Sequence, residues 1–328
     1  MTRPGPRLLK WATAAFCAVT LSATAALAQY PEKTISLVVP FPAGGSTDIG
    51  ARLIGEKLSE RLGQTVIVDN QPGAAGLIGA SAVARAQPDG YTLLVTSNGI
   101  HSAAATGDAN FDLLTDLVPV SEIVGGALVL VGSKSAPFDT IEGFVEHAKS
   151  GNEKVNVAIN AALGSAHMVF ENFRRSAGID YQPVYYAGES PSLAALISGE
   201  AAVGIISGPA VLAQIEDGQV NGLAVTTADR FSLLPEIPTV GETVVPGFGS
   251  GYSTVMFAPK GTPDEIVQKL SATIAEIVND PALADRLKEL GLAPIGSTPD
   301  AYAESVKAEY ERNVEIIRDL RESGMVEQ

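Results

Sequence analysis

The sequence predicts an α/β fold made of two lobes with a cleft between them. Its 328 residues are 46% hydrophobic and 18% charged, which is the composition of a folded protein and not of a disordered or disulfide-rich one. At roughly 150 residues per domain, this length corresponds to about two domains. Short apolar runs alternate with helical patterns, and no long linker or internal repeat divides the chain. We therefore expect more than one chain crossing between the lobes.

The predicted signal peptide covers residues 1–28. Basic residues at positions 3, 7 and 10 precede an apolar run over residues 11–27, and Ala26-Leu27-Ala28 is a small-residue cleavage motif. Cleavage there leaves 300 residues. A retained membrane anchor is the alternative, but the apolar run is short and ends in the cleavage motif.

Acidic residues dominate the chain. There are 37 Asp and Glu against 22 Lys and Arg, so the net charge is −15, and losing the three basic residues of the leader lowers it to −18. Nucleic acids and anionic membrane surfaces favour clustered cations, which argues against both as partners. The single cysteine, Cys17, lies in the leader. An exported chain without cysteine fits a bacterial periplasm.

The first third predicts a βαβαβ unit with a parallel sheet. Its strands are residues 35–39, 65–69 and 91–96. A helix with an apolar face follows Ser46 or Thr47 as its cap, and Gly63 stops it. The loop over residues 73–79 leads into a second helix that ends near residue 86. Strands alternating with helices in this way are typical of a parallel sheet.

The middle third predicts a second α/β lobe, and the last third is mainly helical. The middle strands are residues 127–131, 155–159, 181–186, 201–206 and 222–226, and the helices between them are 141–149, 165–177, 190–198 and 209–216. In the last third, Thr262, Pro263 and Glu265 open a helix that ends near Asn279. Two more helices cover residues 281–290 and the segment after Thr298.

Signatures of catalysis are absent from the sequence. It has no G-x-S-x-G elbow, P-loop, H-E-x-x-H or paired C-x-x-C, and the glycines at 73, 76 and 79 lack dinucleotide-binding spacing. Of the three histidines, His147 is predicted on a helix surface, whereas His101 and His167 follow strand ends and could reach a cleft. A lone histidine is more often a structural hydrogen-bonding group than a catalyst. We predict a protein that is not an enzyme and needs no cofactor or metal.

Loops of glycine and small hydroxyl residues recur between a strand and the following helix. They cover residues 41–48, 72–76, 96–99, 160–165 and 186–190. Such loops expose backbone N–H groups at helix N-termini, where the helix dipole adds positive potential, and so bind carboxylate or phosphate without Arg or Lys. Tight βα turns explain any single loop equally well. Five of them at the carboxyl ends of strands favour a ligand cleft.

Eight ordered segments resemble the Bug family, the TctC-like solute-binding proteins of tripartite tricarboxylate transporters. The segments are residues 29–33 (QYPEK), 35–48 (ISLVVPFPAGGSTD), 68–76 (VDNQPGAAG), 88–94 (PDGYTLL), 116–120 (DLVPV), 223–226 (LAVT), 234–240 (LPEIPTV) and 258–263 (APKGTP). They span nearly all of the chain after the leader, which makes the resemblance specific.

The resemblance implies a type II periplasmic-binding-protein fold, with two α/β lobes joined by a two-strand hinge and the ligand cleft between them. The first lobe would comprise residues 29–128 and 254–328, and the second would comprise 129–253. The first βα loop and a facing loop would hold a ligand carboxylate, partly through water. The implied contacts of the first lobe are Phe41, Ala43, Gly44, Gly45, Thr47, Asp48, Ala74, Gly76, Ser97 and Asn98. Those of the second lobe are Gly164, Ser165, His167, Tyr186, Gly188 and Ser207.

Two positions depart from the residues common in that family. Ala187 stands where many relatives have lysine, and Ser207 stands where an aspartate-containing turn is common. With fewer cations in the cleft, a tricarboxylate such as citrate is less expected, and a monocarboxylate, a small dicarboxylate or an aromatic acid stays open. Asp48 has a second interpretation, as a first-turn acid that stabilises its own helix.

The function predicted from these features is capture of a small organic carboxylate by cleft closure outside the cytoplasm. The expected partners are the large and small membrane subunits of a tripartite tricarboxylate-type transporter. The protein itself is expected to be a monomer and to be located in the periplasm. One alternative is a periplasmic ligand-sensing partner of a receptor kinase, and another is an enzyme that acts on the same acid. The residues alone do not name the carboxylate.

Overall fold

The computed structural model describes residues 30–44, 46–151 and 154–326. The predicted signal peptide and Gly45 lie outside these residues. Among the helices of the described part, none combines the length and the apolar character that a membrane span requires.

The first lobe is built on a six-stranded mixed sheet. Its strands are β1 (Ile35–Val39), β2 (Val66–Asn70), β3 (Thr92–Ser97), β4 (Leu117–Gly126), β10 (Tyr252–Pro259) and β11 (Leu292–Pro294), in the order β11-β4-β10-β3-β1-β2. β1 pairs in parallel with β2 and β3, whereas β10 runs antiparallel between β3 and β4. The helices of this lobe are α1 (Ser46–Leu62), α2 (Leu77–Ala84), α3 (Gly99–Ala105), α4 (Leu113–Asp116), α9 (Asp264–Val278), α10 (Pro281–Glu289) and α11 (Pro299–Glu322), with a 3₁₀ turn at Ala74–Gly76.

The second lobe is built on a five-stranded mixed sheet. Its strands are β5 (Leu128–Ser133), β6 (Val155–Ile159), β7 (Tyr181–Tyr185), β8 (Val203–Ser207) and β9 (Val220–Val225), in the order β7-β6-β8-β5-β9. β6 pairs in parallel with β7 and β8, and β5 runs antiparallel to β8 and β9. Its helices are α5 (Ile141–Lys149), α6 (Ser165–Ala177), α7 (Glu189–Ser198) and α8 (Gly208–Glu216).

Two chain segments connect the sheets. Ala127 alone separates β4 from β5, and residues 226–251 lead from β9 back to β10. A further contact comes from the end of the chain, where the Tyr185 hydroxyl donates to the Met325 carbonyl oxygen at 3.0 Å. These crossings support the predicted division into residues 29–128 with 254–328 and residues 129–253, which stays a prediction.

Apolar side chains are buried on both faces of the central strands of each sheet, because helices cover these strands on both sides. In β1, Ile35, Leu37 and Val39 are fully buried in one core cluster, while Val38 faces a second cluster on the other side of the sheet. In the second lobe, the rings of Phe170 and Phe173 belong to the core that α6 forms with β6 and β8. Burial of such side chains contributes about 1.5–3 kcal/mol each.

The strand pairing confirms the predicted parallel unit of β1, β2 and β3. The pattern missed β4, β10 and β11 as strands, and these pair antiparallel to their neighbours. β4 contains Pro119 and β11 ends in Pro294, and β10 is buried along most of its length, so none shows clean alternation.

Candidate functional site

Loops of both lobes lie at the carboxyl ends of the parallel strands, and the loops around Asn98 and Ser165 contact each other. In the first lobe they follow β1, β2 and β3, and in the second they follow β6, β7 and β8. Each parallel strand is followed by a helix, so helix N-termini point toward the gap between the sheets. This edge carries all of the predicted contact positions that the structure describes.

An ion network fixes the first loop. Asp48 lies in the first turn of α1 and is 2% exposed. Its carboxylate accepts the Gly44 N–H at 2.9 Å, the Arg52 Nε at 2.9 Å and the Asn70 Nδ2 at 2.9 Å. The Asn70 amide also donates to the Phe41 carbonyl oxygen at 3.1 Å. The network therefore joins the loop to both α1 and β2.

The environment of Asp48 keeps it ionised. Its hydrogen bonds from Arg52, then from Gly44 and Asn70, lower the pKa of the carboxyl to about 2. Both carboxylate oxygens are engaged by the protein itself. Asp48 therefore positions the loop, a role that neither sequence interpretation named. Ala43 and Gly44 are exposed and Thr47 is half-buried.

The second loop of the first lobe carries an unusual backbone. Ala74, Ala75 and Gly76 have φ values of 47°, 52° and 96°. Side chains other than hydrogen cost roughly 1–2 kcal/mol per residue in this region. Ala74 and Ala75 are exposed, and neither of their N–H groups has a protein acceptor among the described residues. Strained backbone of this kind is enriched at ligand sites.

The third loop connects the two lobes. The Asn98 side chain donates to the Gly251 carbonyl oxygen at 3.1 Å and accepts from the Ser253 N–H at 3.2 Å and the Ser165 hydroxyl at 3.3 Å. A Cβ at Gly99 would lie 2.9 Å from the Ser165 hydroxyl, so glycine permits this close approach. Ser97, the last residue of β3, is half-buried beside this contact.

A neutral histidine fixes the facing loop of the second lobe. His167 is fully buried, and its Nδ1 accepts the Leu163 N–H at 3.0 Å. Because Nδ1 accepts, Nε2 carries the proton and contacts the Tyr181 hydroxyl at 3.1 Å. Burial lowers the pKa of His167 to about 4. His167 therefore shapes the loop that presents Gly164 and Ser165 and has no free ring nitrogen for a ligand.

The remaining predicted contacts lie around the start of α7 and α8. Gly188 has a φ of 116° and donates its N–H to the Asn160 carbonyl oxygen at 3.0 Å. The Tyr186 hydroxyl donates to Glu200 at 3.1 Å. Ser207, at the N-cap of α8, is held by Glu189 through its N–H at 2.8 Å and its hydroxyl at 3.0 Å.

The sequence interpretation missed Glu189. The residue lies in one of the recurrent small-residue loops, 186–190, and is its only charged member. That contrast in charge was the available signal. Its pairing with Ser207, 18 positions later, depends on β7 and β8 flanking β6 in the same sheet, which a single sequence does not reveal.

The other two histidines lie outside this edge. The His101 ring is buried in the first lobe, with Nδ1 2.7 Å from Glu309 Oε2 and Nε2 3.2 Å from the Tyr302 hydroxyl. His147 is half-buried on α5 against Phe138. Within the described ranges, no group of His, Cys, Asp and Glu has the arrangement of a metal site.

The arrangement suits an anion bound without a cationic side chain. No lysine or arginine is among the predicted contacts, and Arg52 is paired with Asp48 at 2.9 Å. Helix N-termini and backbone N–H groups that have no acceptor among the described residues supply the donors instead. These groups can hold a carboxylate between the lobes.

Comparison with known proteins gives consistent similarities. A family described as "Tripartite tricarboxylate transporter family receptor" (TctC) matches residues 50–321. The chain is 34% identical over 293 residues to protein BugT of Bordetella pertussis, covering 88% of this chain and 90% of BugT.

Solved structures show the same fold. A protein of R. palustris, solved with adipate, is 34% identical with a TM-score of 0.70, covering 88% of this chain and 97% of that one. MatC from Rhodopseudomonas palustris with bound malate is 30% identical with a TM-score of 0.69, covering 88% and 100%.

Proposed function

Because the chain belongs to the TctC family of tripartite tricarboxylate transporter receptors, we propose that it captures a small organic carboxylate between its lobes. It then presents the bound acid to a membrane transporter. Adipate and malate, the ligands of two similar proteins, are both small carboxylates. The observation that carries the proposal is a pair of exposed residues, Ala74 and Ala75, whose N–H groups have no acceptor in the part of the chain that the structure describes. They lie at the edge formed by the carboxyl ends of the parallel strands.

In this proposal the first lobe binds the carboxylate and the second lobe closes over it. The loop held by Asp48 and the strained loop at Ala74 offer backbone donors, and Ser165, whose hydroxyl donates to Asn98 at 3.3 Å, lies on the opposite side. Water can complete such contacts with little loss of affinity. Since the closed form makes more contacts with the ligand, binding shifts the population toward that form.

The partners in this proposal are the large and small membrane subunits of the transporter. The binding protein would act as a monomer in the periplasm, after removal of residues 1–28. It would not catalyse a reaction. Both ring nitrogens of His101 and of His167 are engaged inside the protein, which leaves neither positioned as a general base.

A thermal-shift screen, confirmed by calorimetry, tests the proposal. The protein from Gln29 onward is tested against mono-, di-, tricarboxylic and aromatic acids, amino acids and sugars. A ligand at 100 times its Kd stabilises the native state by about 2.7 kcal/mol, which such a screen detects. We expect stabilisation by a carboxylate.

Two serines of α6 provide the matched control. Ser165→Ala, at the start of the helix, should weaken carboxylate binding about tenfold, because it removes a hydroxyl from the facing edge. Ser176→Ala, exposed near the other end of α6, should leave binding unchanged. Stabilisation by a sugar or a cation alone would contradict the proposal.

A further inference from the structure

A carboxylate of the protein already occupies the helix N-terminus nearest the hinge. Glu189 Oε1 accepts the Ser207 N–H at 2.8 Å and Oε2 accepts the Ser207 hydroxyl at 3.0 Å. Ser207 is the N-cap of the nine-residue helix α8. A helix N-terminus with a free N–H and hydroxyl would otherwise bind an anionic group of a ligand. Here Glu189 takes that place.

Ser207 lies next to the hinge. It pairs with Leu128, the first residue of β5, which follows Gly126 and Ala127 at the crossing between the sheets. The charge of Glu189 also reaches the other crossing. Burial, and then the negative charge of Glu189, raise the pKa of the Tyr252 hydroxyl at the start of β10 to about 12. The carboxylate therefore lies in the second lobe, held by Ser207 beside the hinge.

The charge of Glu189 is not neutralised by a neighbouring cation. In the portion of the chain that the structure describes, no lysine, arginine or histidine forms an ion pair with it. The other residues of its loop, 186–188 and Ser190, carry no charge. Each carboxylate oxygen accepts one hydrogen bond and keeps capacity for another.

The two walls of the gap thus differ in character. The first lobe offers backbone donors at Ala74 and Ala75, which suit a carboxylate. The second lobe offers an unneutralised carboxylate, which suits an ammonium group. A second ligand carboxylate would find the N-terminus of α8 occupied and would be repelled by the like charge of Glu189. An ammonium group would gain a charge-assisted hydrogen bond.

We infer that Glu189 determines specificity, so that this protein prefers a zwitterionic amino acid to a dicarboxylate. The inference rests on the proposed carboxylate-binding function and names the second group of the ligand. The acid end of the ligand lies on the first lobe, and its ammonium group lies against Glu189. The amino acid is favoured both by attraction to Glu189 and by exclusion of the dicarboxylate.

Matched pairs of compounds test the inference. 4-Aminobutyrate and glutarate each carry three methylene groups, and 5-aminovalerate and adipate each carry four, so the members of a pair differ only at one end. α-Amino acids are compared with malate and succinate in the same way. Affinities for the wild type, Glu189→Gln and Glu216→Gln are measured by calorimetry, with melting temperatures as a check on folding.

We expect the amino acid of at least one pair to bind the wild type at least tenfold more tightly than its diacid. Glu189→Gln should weaken that amino acid at least tenfold and strengthen the diacid, because the amide keeps an acceptor for Ser207 without the charge. Glu216→Gln removes the same charge from the exposed far end of α8 and should change neither affinity.

Two results would overturn the inference. If the diacids bind the wild type more tightly and Glu189→Gln changes no preference, Glu189 is not the selecting residue, while the carboxylate-binding function stands. If no carboxylate of either kind binds, the inference fails together with the proposed function.

Discussion

The loops before α1 and α6 share one geometry and differ in chemistry. In each, the third residue of the helix reaches back to the N–H of the residue four positions earlier: Asp48 to Gly44 at 2.9 Å and His167 to Leu163 at 3.0 Å. Both N–H groups belong to left-handed residues, with φ values of 86° and 57°. The first acceptor is a charged carboxylate, and the second is a neutral, fully buried imidazole.

The difference shows how one loop geometry can respond to pH in two separate ranges. Asp48 is stabilised in its charged form by Arg52, Gly44 and Asn70, and His167 is kept neutral by burial. Asp48 is protonated only at strongly acidic pH. At mildly acidic pH the imidazole of His167 stays neutral in the folded protein, whereas it is protonated in the unfolded chain. The loop of the second lobe is therefore the more acid-sensitive one.

The largest expected effect is from His167→Ala. It leaves the Leu163 N–H and the Tyr181 hydroxyl without their partner and creates a cavity. The unfolding free energy should fall by about 3 kcal/mol, measured by urea denaturation. His147→Ala, on the half-buried face of α5, should cost under about 1 kcal/mol. If His167→Ala and His147→Ala lower the unfolding free energy equally, the hydrogen bonds of His167 contribute nothing to stability beyond side-chain packing.

The pH dependence should separate the two loops next. The pKa of His167 is about 4 in the folded protein and 6.5 in the unfolded chain. Between these two pH values the unfolded chain binds a proton that the folded protein does not. Stability from this residue is present above pH 6.5 and falls toward pH 4, by roughly 3 kcal/mol in all. His167→Gln, compared with wild type in urea at each pH, should remove this slope. An unchanged slope would assign it to other groups.

Asp48→Ala should cost about 2 kcal/mol at pH 7, since it leaves Gly44, Asn70 and Arg52 without their shared acceptor. Because the pKa is lowered from 3.8 to about 2, stability from the charge is present above pH 3.8 and is lost as pH falls through about 2.

Asp48→Asn isolates that charge, because its amide oxygen still accepts one N–H. The stability difference between Asp48→Asn and wild type, followed by denaturation from pH 7 to pH 2, should close only below about pH 4. A difference that closes between pH 6.5 and pH 4 instead would contradict the contrast between the loops.

The smallest effect is expected from Gly44→Ala. No atom lies within 4 Å of the added Cβ, so the cost comes from the left-handed φ of 86° alone and is about 1 kcal/mol. Gly63→Ala, with a φ of 68° and equally open space at the end of α1, is the matched control for stability. Both should cost the same by denaturation, while only Gly44→Ala should weaken ligand binding in calorimetry.

The sequence predicted the loops better than the partners of their side chains. Strand and helix patterns located β1, β6 and the glycine-rich turns after them, because those signals are local. The role of His167 depends on Tyr181, which adjoins it only after β7 pairs with β6. The same holds for Glu189 and Ser207, which meet across three strands.

Sheet topology was the least predictable part of the fold. β10 follows β3 by more than 150 residues in the chain, and no local pattern places it beside β3 with Thr254 opposite Ser97. Its antiparallel direction follows from the chain's return through the second crossing. A single sequence shows which residues such a strand contains, but it does not show which strand it pairs with.

The late position of β10 has a consequence for the order of folding. The strands of the second sheet come from one continuous segment, Leu128 to Val225, whereas the first sheet has β10 between β3 and β4 and cannot close until residues 252–259 are available. Chains are synthesised from the N-terminus, so the second sheet can be assembled while the first is still open. During that interval the unpaired edges of β3 and β4 are exposed, and this is when the newly made chain is most prone to aggregate.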